Sequence, residues 1–300
     1  MVSMMVSVVL LAAWFAAVPE DVAAPVPPSP IIGGTEVTPG EYEEVVAVHV
    51  AGKLCSGTRI APGLVLTAAH CLTPARGPGD IAVSTGIDAY VGPKHRAIAF
   101  GIHPDFCDCD RDAFDYGYVQ VEPGVLGISA IATPMVDQQE WDDLIETGVD
   151  VTIVGYGDDP GHDEAARFKR KVTVDLGRGT PSGQEFAAGG EFRDSCKGDS
   201  GGPVFVELPD GTRRQIGITS RGSEPCGNGG YYANPYPALG WLKAETGVDL
   251  CGAQCGTCDC LDTIVPDASS GCGCRSEPGS EPPWSLAWIA FVLLRRRRSR

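Results

Sequence analysis

Residues 193–203 read RDSCKGDSGGP and place Ser200 in a Gly-x-Ser-x-Gly pattern with Gly198 and Gly202. Glycines around a serine let the backbone turn sharply and expose main-chain amides. The pattern frames nucleophilic serines in more than one fold, including the α/β-hydrolases, in which the catalytic histidine follows the serine. The chain has five histidines, all of which precede Ser200: His49, His70, His95, His103 and His162. The order of residues therefore excludes an α/β-hydrolase triad.

Two earlier segments contain candidate partners for Ser200. His70 ends the apolar run LVLTAAHC, next to Cys71, and Asp115 begins the alternating segment DYGYVQV. A serine hydroxyl needs an adjacent base to accept its proton, and imidazole titrates near neutrality, so His70 is the candidate base. A buried carboxylate would fix the imidazole tautomer. Asp115 is preferred for this role because the alternating strand begins directly after it, and Asp112 is the alternative.

These segments resemble, in chain order, the three signature blocks of the trypsin-like serine proteases. The blocks are TAAHC at 67–71, the Asp115 that heads its strand, and GDSGGP at 198–203. In addition, IIGG at 31–34 is similar to the mature N-terminus of that family. The resemblance covers about residues 31–250. The order His70, Asp115, Ser200 is the one that the chymotrypsin-type β-barrel proteases use.

The resemblance implies a peptide hydrolysis that needs no metal and no cofactor. Ser200 would be the nucleophile, His70 would carry its proton, and Asp115 would orient His70. The amides of Gly198 and Ser200 would bind the oxyanion, at a contribution of about 3 kcal/mol for each donor. The partners would be proteins or peptides.

By the same resemblance, Asp194 is the floor of the primary specificity pocket and indicates cleavage after Arg or Lys. A carboxylate in a poorly hydrated slot needs a cation to offset its desolvation. Three small residues would form the pocket wall, with Gly229 as an alternative to the last of them: Ser220, Gly222 and Gly230. Arg221 stands where the family usually has a large aromatic side chain. Its charge could repel basic residues, favour acidic residues further along the substrate, or partner Asp194.

The resemblance also implies an activation step. A cut before Ile31 would free an amine that inserts and pairs with Asp199. Pro30 rather than Arg or Lys precedes Ile31, so tryptic autoactivation is not expected. We expect a different processing enzyme to make this cut. Two disulfides of the family correspond to the cysteine pairs Cys55–Cys71 and Cys196–Cys226. Each should stabilise the folded domain by a few kcal/mol.

The composition and the pattern of apolar runs predict an all-β domain. The chain has 300 residues, 39 glycines and 24 prolines, as expected for many short strands joined by turns. Predicted strands lie at 45–50, 64–67, 81–84, 97–102, 116–121, 149–154, 171–174, 204–207 and 215–219, followed by a helix at 237–246. With the resemblance, the expected fold is two six-stranded antiparallel β-barrels with a short C-terminal helix.

Charge and cysteine content narrow the partners and the compartment. The formal net charge is −16, and an acidic body repels nucleic acid, so no nucleic-acid partner is expected. Twelve cysteines in an exported chain indicate disulfides, with a metal site as the alternative for the late cluster. Asp108, Asp110 and Asp112 alternate like the start of a calcium loop. However, Ala113 and Val119 stand where an EF-hand needs Gly and Glu, so a solvated acidic loop is preferred.

The segments outside residues 31–250 predict export and retention. Residues 1–24 are typical of a signal peptide, with a short membrane anchor as the alternative, and residues 25–30 form a proline-rich pro-segment. Residues 251–283 are a cysteine-rich linker. Residues 284–300 contain an 11-residue apolar run and an Arg cluster, too short to span a membrane. This end resembles myxobacterial C-terminal sorting tails, which implies a bacterial source, an envelope sorting machinery and a surface location.

Two functions are compatible with these features. The first is a secreted serine endopeptidase of trypsin-like specificity. The second is a catalytically silent binding module at the cell surface that uses the same scaffold, because Pro30 and Arg221 depart from the family pattern. The intact set of His70, Asp115 and Ser200 favours the enzyme.

Overall fold

The computed structural model describes residues 31–109, 113–157 and 167–251. The predicted signal peptide, pro-segment and sorting tail, and nearly all of the cysteine-rich linker, lie outside these residues. No helix among the described residues is long and apolar enough to cross a membrane.

The described elements are mostly short strands. The first half of the chain contains β1 (Thr35–Glu36), β2 (Val45–Val50), β3 (Lys53–Ala61), β4 (Leu64–Thr67), α1 (Ala69–Leu72), β5 (Ile81–Ser84), β6 (His95–Arg96), β7 (Ala99–Ile102) and β8 (Gly117–Gln120). The second half contains β9 (Thr133–Pro134), α2 (Gln138–Leu144), β10 (Asp150–Gly155), β11 (Arg170–Gly179), β12 (Glu185–Ala188), β13 (Pro203–Glu207), β14 (Arg213–Gly222), β15 (Gly230–Ala233) and α3 (Leu239–Thr246).

The strands of the second half close into a six-stranded antiparallel barrel. Its order is β11-β10-β13-β14-β15-β12, and β12 pairs back with β11. β1 and β9 add to this sheet at β11 and β14. The second barrel therefore has the strand number that the sequence predicted.

The strands of the first half form a seven-stranded sheet in the order β6-β5-β2-β3-β4-β8-β7. Its two edge strands, β6 and β7, are consecutive pieces of one segment. The amide of Ala97 donates to the Ile81 carbonyl at 3.0 Å, whereas the next amide, of Ile98, donates to the Gln120 carbonyl at 2.8 Å. The first half is thus a half-barrel. Its two edges are connected by the segment 95–102, which pairs first with β5 and then with β8.

The interiors of the two sheets make an apolar core. β2 (VVAVHV) and β4 (LVLT) are buried on both faces, which explains their near-continuous apolar sequence. α3 follows the second barrel and buries Leu239 and Leu242. The all-β class and the C-terminal helix are confirmed, and the architecture matches the chymotrypsin fold.

Candidate active site

His70 and Asp115 lie together at one end of two neighbouring strands of the first sheet. His70 is in α1, the single turn that follows β4, and Asp115 lies two residues before β8, the partner of β4. Asp115 Oδ2 is 2.7 Å from His70 Nδ1, and Asp115 Oδ1 accepts the His70 amide at 2.9 Å. The hydroxyl of Ser220 donates to Asp115 Oδ2 at 2.6 Å. Asp115 is 2% exposed, so these contacts replace its hydration.

Ser200 lies on the loop that precedes β13, against the first sheet. Its carbonyl accepts the Ser56 amide at 2.8 Å and is 3.6 Å from Cys71 Sγ. The same sulfur is 3.8 Å from His70 Nε2. Over the described residues, no hydrogen bond joins Ser200 Oγ to His70 Nε2. Such contacts are often long in ligand-free enzymes and shorten when substrate binds.

The backbone around Ser200 has the shape that the glycine pattern predicted. Gly198 has φ +96° and Gly201 has φ +81°, a region that favours glycine. A Cβ atom at Gly201 would lie 2.1 Å from Thr67 Oγ1, so this position also needs the close approach that only glycine permits. Within the part of the chain that is described, the amides of Gly198 and Ser200 donate to no protein acceptor, which leaves them available to an anion.

A cleft of about 110 Å³ opens beside Ser200. Of the residues predicted to form the pocket wall, Ser220 and Gly222 line this cleft, together with Arg221. Asp194 and Gly230 are not among its lining residues. Gly230 pairs with Gly222 across β14 and β15, one strand away from the cleft.

The carboxylate of Asp194, whose chain neighbour Ser195 lines the cleft, is held by main-chain amides. Its Oδ2 accepts the amides of Gly227 at 3.1 Å and Gly229 at 2.9 Å, and its Oδ1 accepts the Ser195 amide at 2.8 Å. The Tyr232 hydroxyl is 3.3 Å from Oδ1. Burial raises the pKa of Asp194, and these hydrogen bonds oppose the rise.

Arg221 is paired with Glu185 rather than with Asp194. The two guanidinium Nη atoms donate to the two Glu185 carboxylate oxygens at 2.6 and 2.7 Å. The Glu185 side chain is 1% exposed, whereas that of Arg221 is 26% exposed. The guanidinium also lies 4.8 Å from the Tyr231 ring centre. Of the alternatives that the sequence left open for Arg221, a contact with Asp194 is therefore not the one observed, and the charge of Arg221 is offset by Glu185.

Ile31 and Asp199, the predicted activation pair, are both fully buried. Asp199 Oδ1 accepts the Gly157 amide at 2.7 Å, and Oδ2 accepts the Cys196 amide at 2.9 Å. A Cβ atom at Gly157 would lie 2.2 Å from the carboxylate, so glycine makes room for it. Pro30 lies outside the described residues.

Three disulfides are present among the described cysteines: Cys55–Cys71, Cys196–Cys226 and Cys107–Cys109. The first two are the pairs that the resemblance implied, whereas the resemblance implied no pairing for Cys107 and Cys109. Cys251 is also disulfide-bonded. The sulfurs of Cys55 and Cys71 lie near the ring of His70 in a cluster of metal-ligand type, but bonded sulfurs are not thiolates and cannot bind zinc. Asp110 and Asp112 of the calcium-like loop lie outside the described residues.

Sequence reasoning missed two residues at this site. Ser56 contacts the Ser200 loop from β3, a strand that the sequence did not predict, and Glu185 neutralises Arg221 from β12, also not predicted. No sequence pattern linked Glu185 to Arg221. The only available indication was that a charged residue at a cleft wall usually has a partner.

Comparisons with known proteins agree with this geometry. A family model described as Trypsin matches residues 31–242. Trypsin from Saccharopolyspora erythraea is 29% identical over 68% of this chain and 92% of its own length. Coagulation factor XII from Cavia porcellus is 28% identical over 73% of this chain but 41% of its own length. Glucanase inhibitor protein 3 from Phytophthora infestans is 26% identical over 72% of this chain and 88% of its own length. Because the family model covers most of the chain, this protein belongs to the trypsin family. Membership of this family supports a serine peptidase activity.

Proposed function

We propose that this protein is a serine endopeptidase that hydrolyses peptide bonds through an acyl-enzyme. The observation that carries the proposal is the 2.7 Å contact of His70 Nδ1 with the buried Asp115 carboxylate. An acceptor on Nδ1 holds the proton there and leaves Nε2 as the base. His70 has a side chain that is 36% exposed, so a substrate can reach it.

The reaction uses groups that the chain itself provides. Ser200 Oγ attacks the peptide carbonyl carbon while its proton moves to His70 Nε2. The oxyanion forms opposite the amides of Gly198 and Ser200, which have no other acceptor within the described residues. His70 then protonates the departing amine, and the C–N bond breaks. Water repeats the sequence on the acyl-enzyme and releases the acid.

Cleavage after Arg or Lys is the proposed primary specificity, and Asp194 supports it. A buried carboxylate that is stabilised by neutral donors, here three amides and the Tyr232 hydroxyl, gains a strong charge-assisted hydrogen bond when a guanidinium or ammonium enters. Asp194 is 1% exposed, so the proposal requires the cleft beside Ser195 to deepen toward it as substrate binds.

Peptide turnover tests both the serine peptidase mechanism and the Arg/Lys specificity. A chain beginning at Ile31 is assayed on matched peptides with Arg, Lys or Phe before the cleaved bond, beside Ser200→Ala. We expect cleavage of the Arg and Lys peptides and a loss of about a million-fold in the variant. Equal or faster cleavage of the Phe peptide would remove the Arg/Lys specificity alone. Activity that survives Ser200→Ala would remove the mechanism.

We propose an exported protein that is retained at the bacterial envelope. Residues 1–24 would be the signal peptide, 25–30 the pro-segment, 31–250 the protease domain, 251–283 a linker and 284–300 the sorting tail that an envelope machinery processes. Disulfides in the described domain support an oxidising compartment. A mature protein that still carries Arg300 would contradict the sorting of the tail.

A second candidate is a binding module without catalysis. One relative supports it, because glucanase inhibitor protein 3 has the name of an inhibitor and matches this chain over 88% of its own length. The peptide assay separates the two candidates: a folded chain beginning at Ile31 that cleaves no peptide favours the binding module.

A further inference from the structure

We propose that Ser56 is a positioning residue for the oxyanion-binding loop: its hydroxyl holds the Gly198 carbonyl and so orients the amides of Gly198 and Ser200. The inference rests on the proposed peptidase function. Ser56 Oγ donates to the Gly198 carbonyl oxygen at 2.9 Å, and the Ser56 amide donates to the Ser200 carbonyl at 2.8 Å. One residue of β3 thus holds two carbonyl groups of the nucleophile loop.

The direction of the Ser56 hydroxyl proton is fixed by its second partner. Ser56 Oγ accepts the Tyr156 amide at 2.9 Å. A hydroxyl has one proton to donate, and an N–H group cannot accept it. The proton therefore points at the Gly198 carbonyl.

Ser56 is itself held rigidly. It is fully buried in β3, and its own carbonyl accepts the Thr67 hydroxyl at 2.8 Å. Tyr156 directly follows β10 of the second barrel, whereas Thr67 ends β4 of the first sheet. Ser56 therefore connects the two sheets and holds the nucleophile loop at the same point.

The Gly198–Asp199 peptide plane lies between the two amides that would bind the oxyanion. Its carbonyl is held by Ser56, and its N–H, on Asp199, donates to the Cys196 carbonyl at 3.0 Å. Gly198 has φ +96°, and glycine can adopt other backbone conformations at little cost. Without the hydroxyl, this plane can rotate and turn the neighbouring amides away from the oxyanion.

The test compares Ser56→Ala with Ser84→Ala in the protein that begins at Ile31, the form expected to be active. Ser84 is a matched control because it is equally buried, lies in β5 of the same sheet, and donates to the Ala89 carbonyl at 2.8 Å. For Ser56→Ala we expect kcat to fall about tenfold, the effect of one ordinary hydrogen bond, with KM within twofold. Ser84→Ala should leave kcat within twofold even if it lowers the Tm equally.

Two inhibitors separate positioning from general damage. A peptide aldehyde forms an adduct with Ser200 whose oxyanion needs the amides, whereas benzamidine occupies only the primary pocket. Ser56→Ala should weaken the aldehyde about tenfold and leave benzamidine within twofold. An unchanged kcat, or an equal loss of both inhibitors, would overturn the positioning role.

An inactive wild-type chain would remove the proposed function but would still leave Ser56 testable. Hydrogen exchange of the Asp199 amide, measured by NMR in a Ser200→Ala background, reports how firmly the peptide plane is held. We expect exchange about tenfold faster with Ser56→Ala and unchanged with Ser84→Ala. Equal exchange rates in all three proteins would overturn the inference, whatever the activity.

Discussion

The positive charge of Arg221 at the wall of the cleft is offset by the buried carboxylate of Glu185. Glu185 occupies both of its Nη atoms and is almost completely shielded from solvent. Glu185 Oε1 also accepts the amide of Ala113, two residues before Asp115. The pair thus gives the cleft a nearly neutral wall, so Arg221 alone should neither repel basic substrate residues nor attract acidic ones strongly.

Removing the counter-charge should expose the effect of Arg221 on substrates. In Glu185→Gln, the shape of the side chain remains and the charge of Arg221 is no longer offset. We expect kcat/KM for peptides with Glu two to four residues before the cleaved Arg to rise about fivefold relative to peptides with Lys there, or roughly 1 kcal/mol for a partly exposed charge. The measurement is a comparison of the two peptides in both proteins.

A second ion pair on the same strand provides the control. Arg214 of β14 makes an equally close pair with Glu140, at 2.6 and 2.7 Å, and neither residue lines the cleft. Glu140→Gln should leave the peptide preference unchanged. If Glu185→Gln and Glu140→Gln give the same preference as the wild type, the charge of Arg221 does not act on substrate.

At the scale of elements, α3 packs the C-terminal end of the domain against the first sheet, which contains β8. Trp241 lies 5.0 Å from the ring of His103 and 5.5 Å from that of Tyr118, a residue of β8. His103 in turn packs on Phe114 and Tyr116, the two neighbours of Asp115 in the chain. The helix therefore supports the segment that presents Asp115 to His70.

Truncating this contact should destabilise the domain. Because Trp241 is only partly buried, Trp241→Ala should lower the free energy of unfolding by about 2 kcal/mol, less than for a core tryptophan. Lys243→Ala, on the same helix, removes an exposed ion pair with Asp249 and should cost much less, because exposed ion pairs contribute little to stability. Urea denaturation of the two variants measures the difference, and equal losses would show that Trp241 does not anchor the helix.

The elements that sequence predicted are those with apolar periodicity. β2, β4 and β5 have the predicted bounds, because each is a short apolar run between turn residues. β3 (KLCSGTRIA) was missed because its polar residues are buried by partners elsewhere in the chain. Arg59, for example, donates to the Ala130 carbonyl at 2.8 Å. The positions of His70, Asp115 and Ser200 were readable from local motifs, whereas Ser56 and Glu185 act through contacts that only the fold creates.

At the scale of the whole molecule, the first described residues are packed against the loop that carries Asp194. Ile32 pairs with Asp194 as an isolated bridge, and the Asp194 amide donates to the Ile32 carbonyl at 3.1 Å. A Cβ atom at Gly33 would lie 2.7 Å from the Phe192 carbonyl, and Gly33 has φ +70°. The segment that begins at Ile31 therefore braces the loop that carries Asp194, and its release would affect the cleft.

If the chain is cut before Ile31, as the resemblance implies, this packing predicts that the position of the new N-terminus determines activity. Ile31 and Asp199 are both buried, and a carboxylate without solvent gains most from a cation. In the proposed mature form, a chain that begins at Ile31 would provide that cation as its α-amine, whereas one extra glycine before Ile31 would displace it. We expect the extended chain to lose about 100-fold in kcat/KM, the scale of a misplaced catalytic group, while its far-UV circular dichroism is unchanged. Asp199→Asn in the chain that begins at Ile31 should lose a similar factor, because it removes the other charge of the pair. Full activity of the extended chain would show that the site assembles without a free amine, and the Pro30–Ile31 bond would then need no processing enzyme.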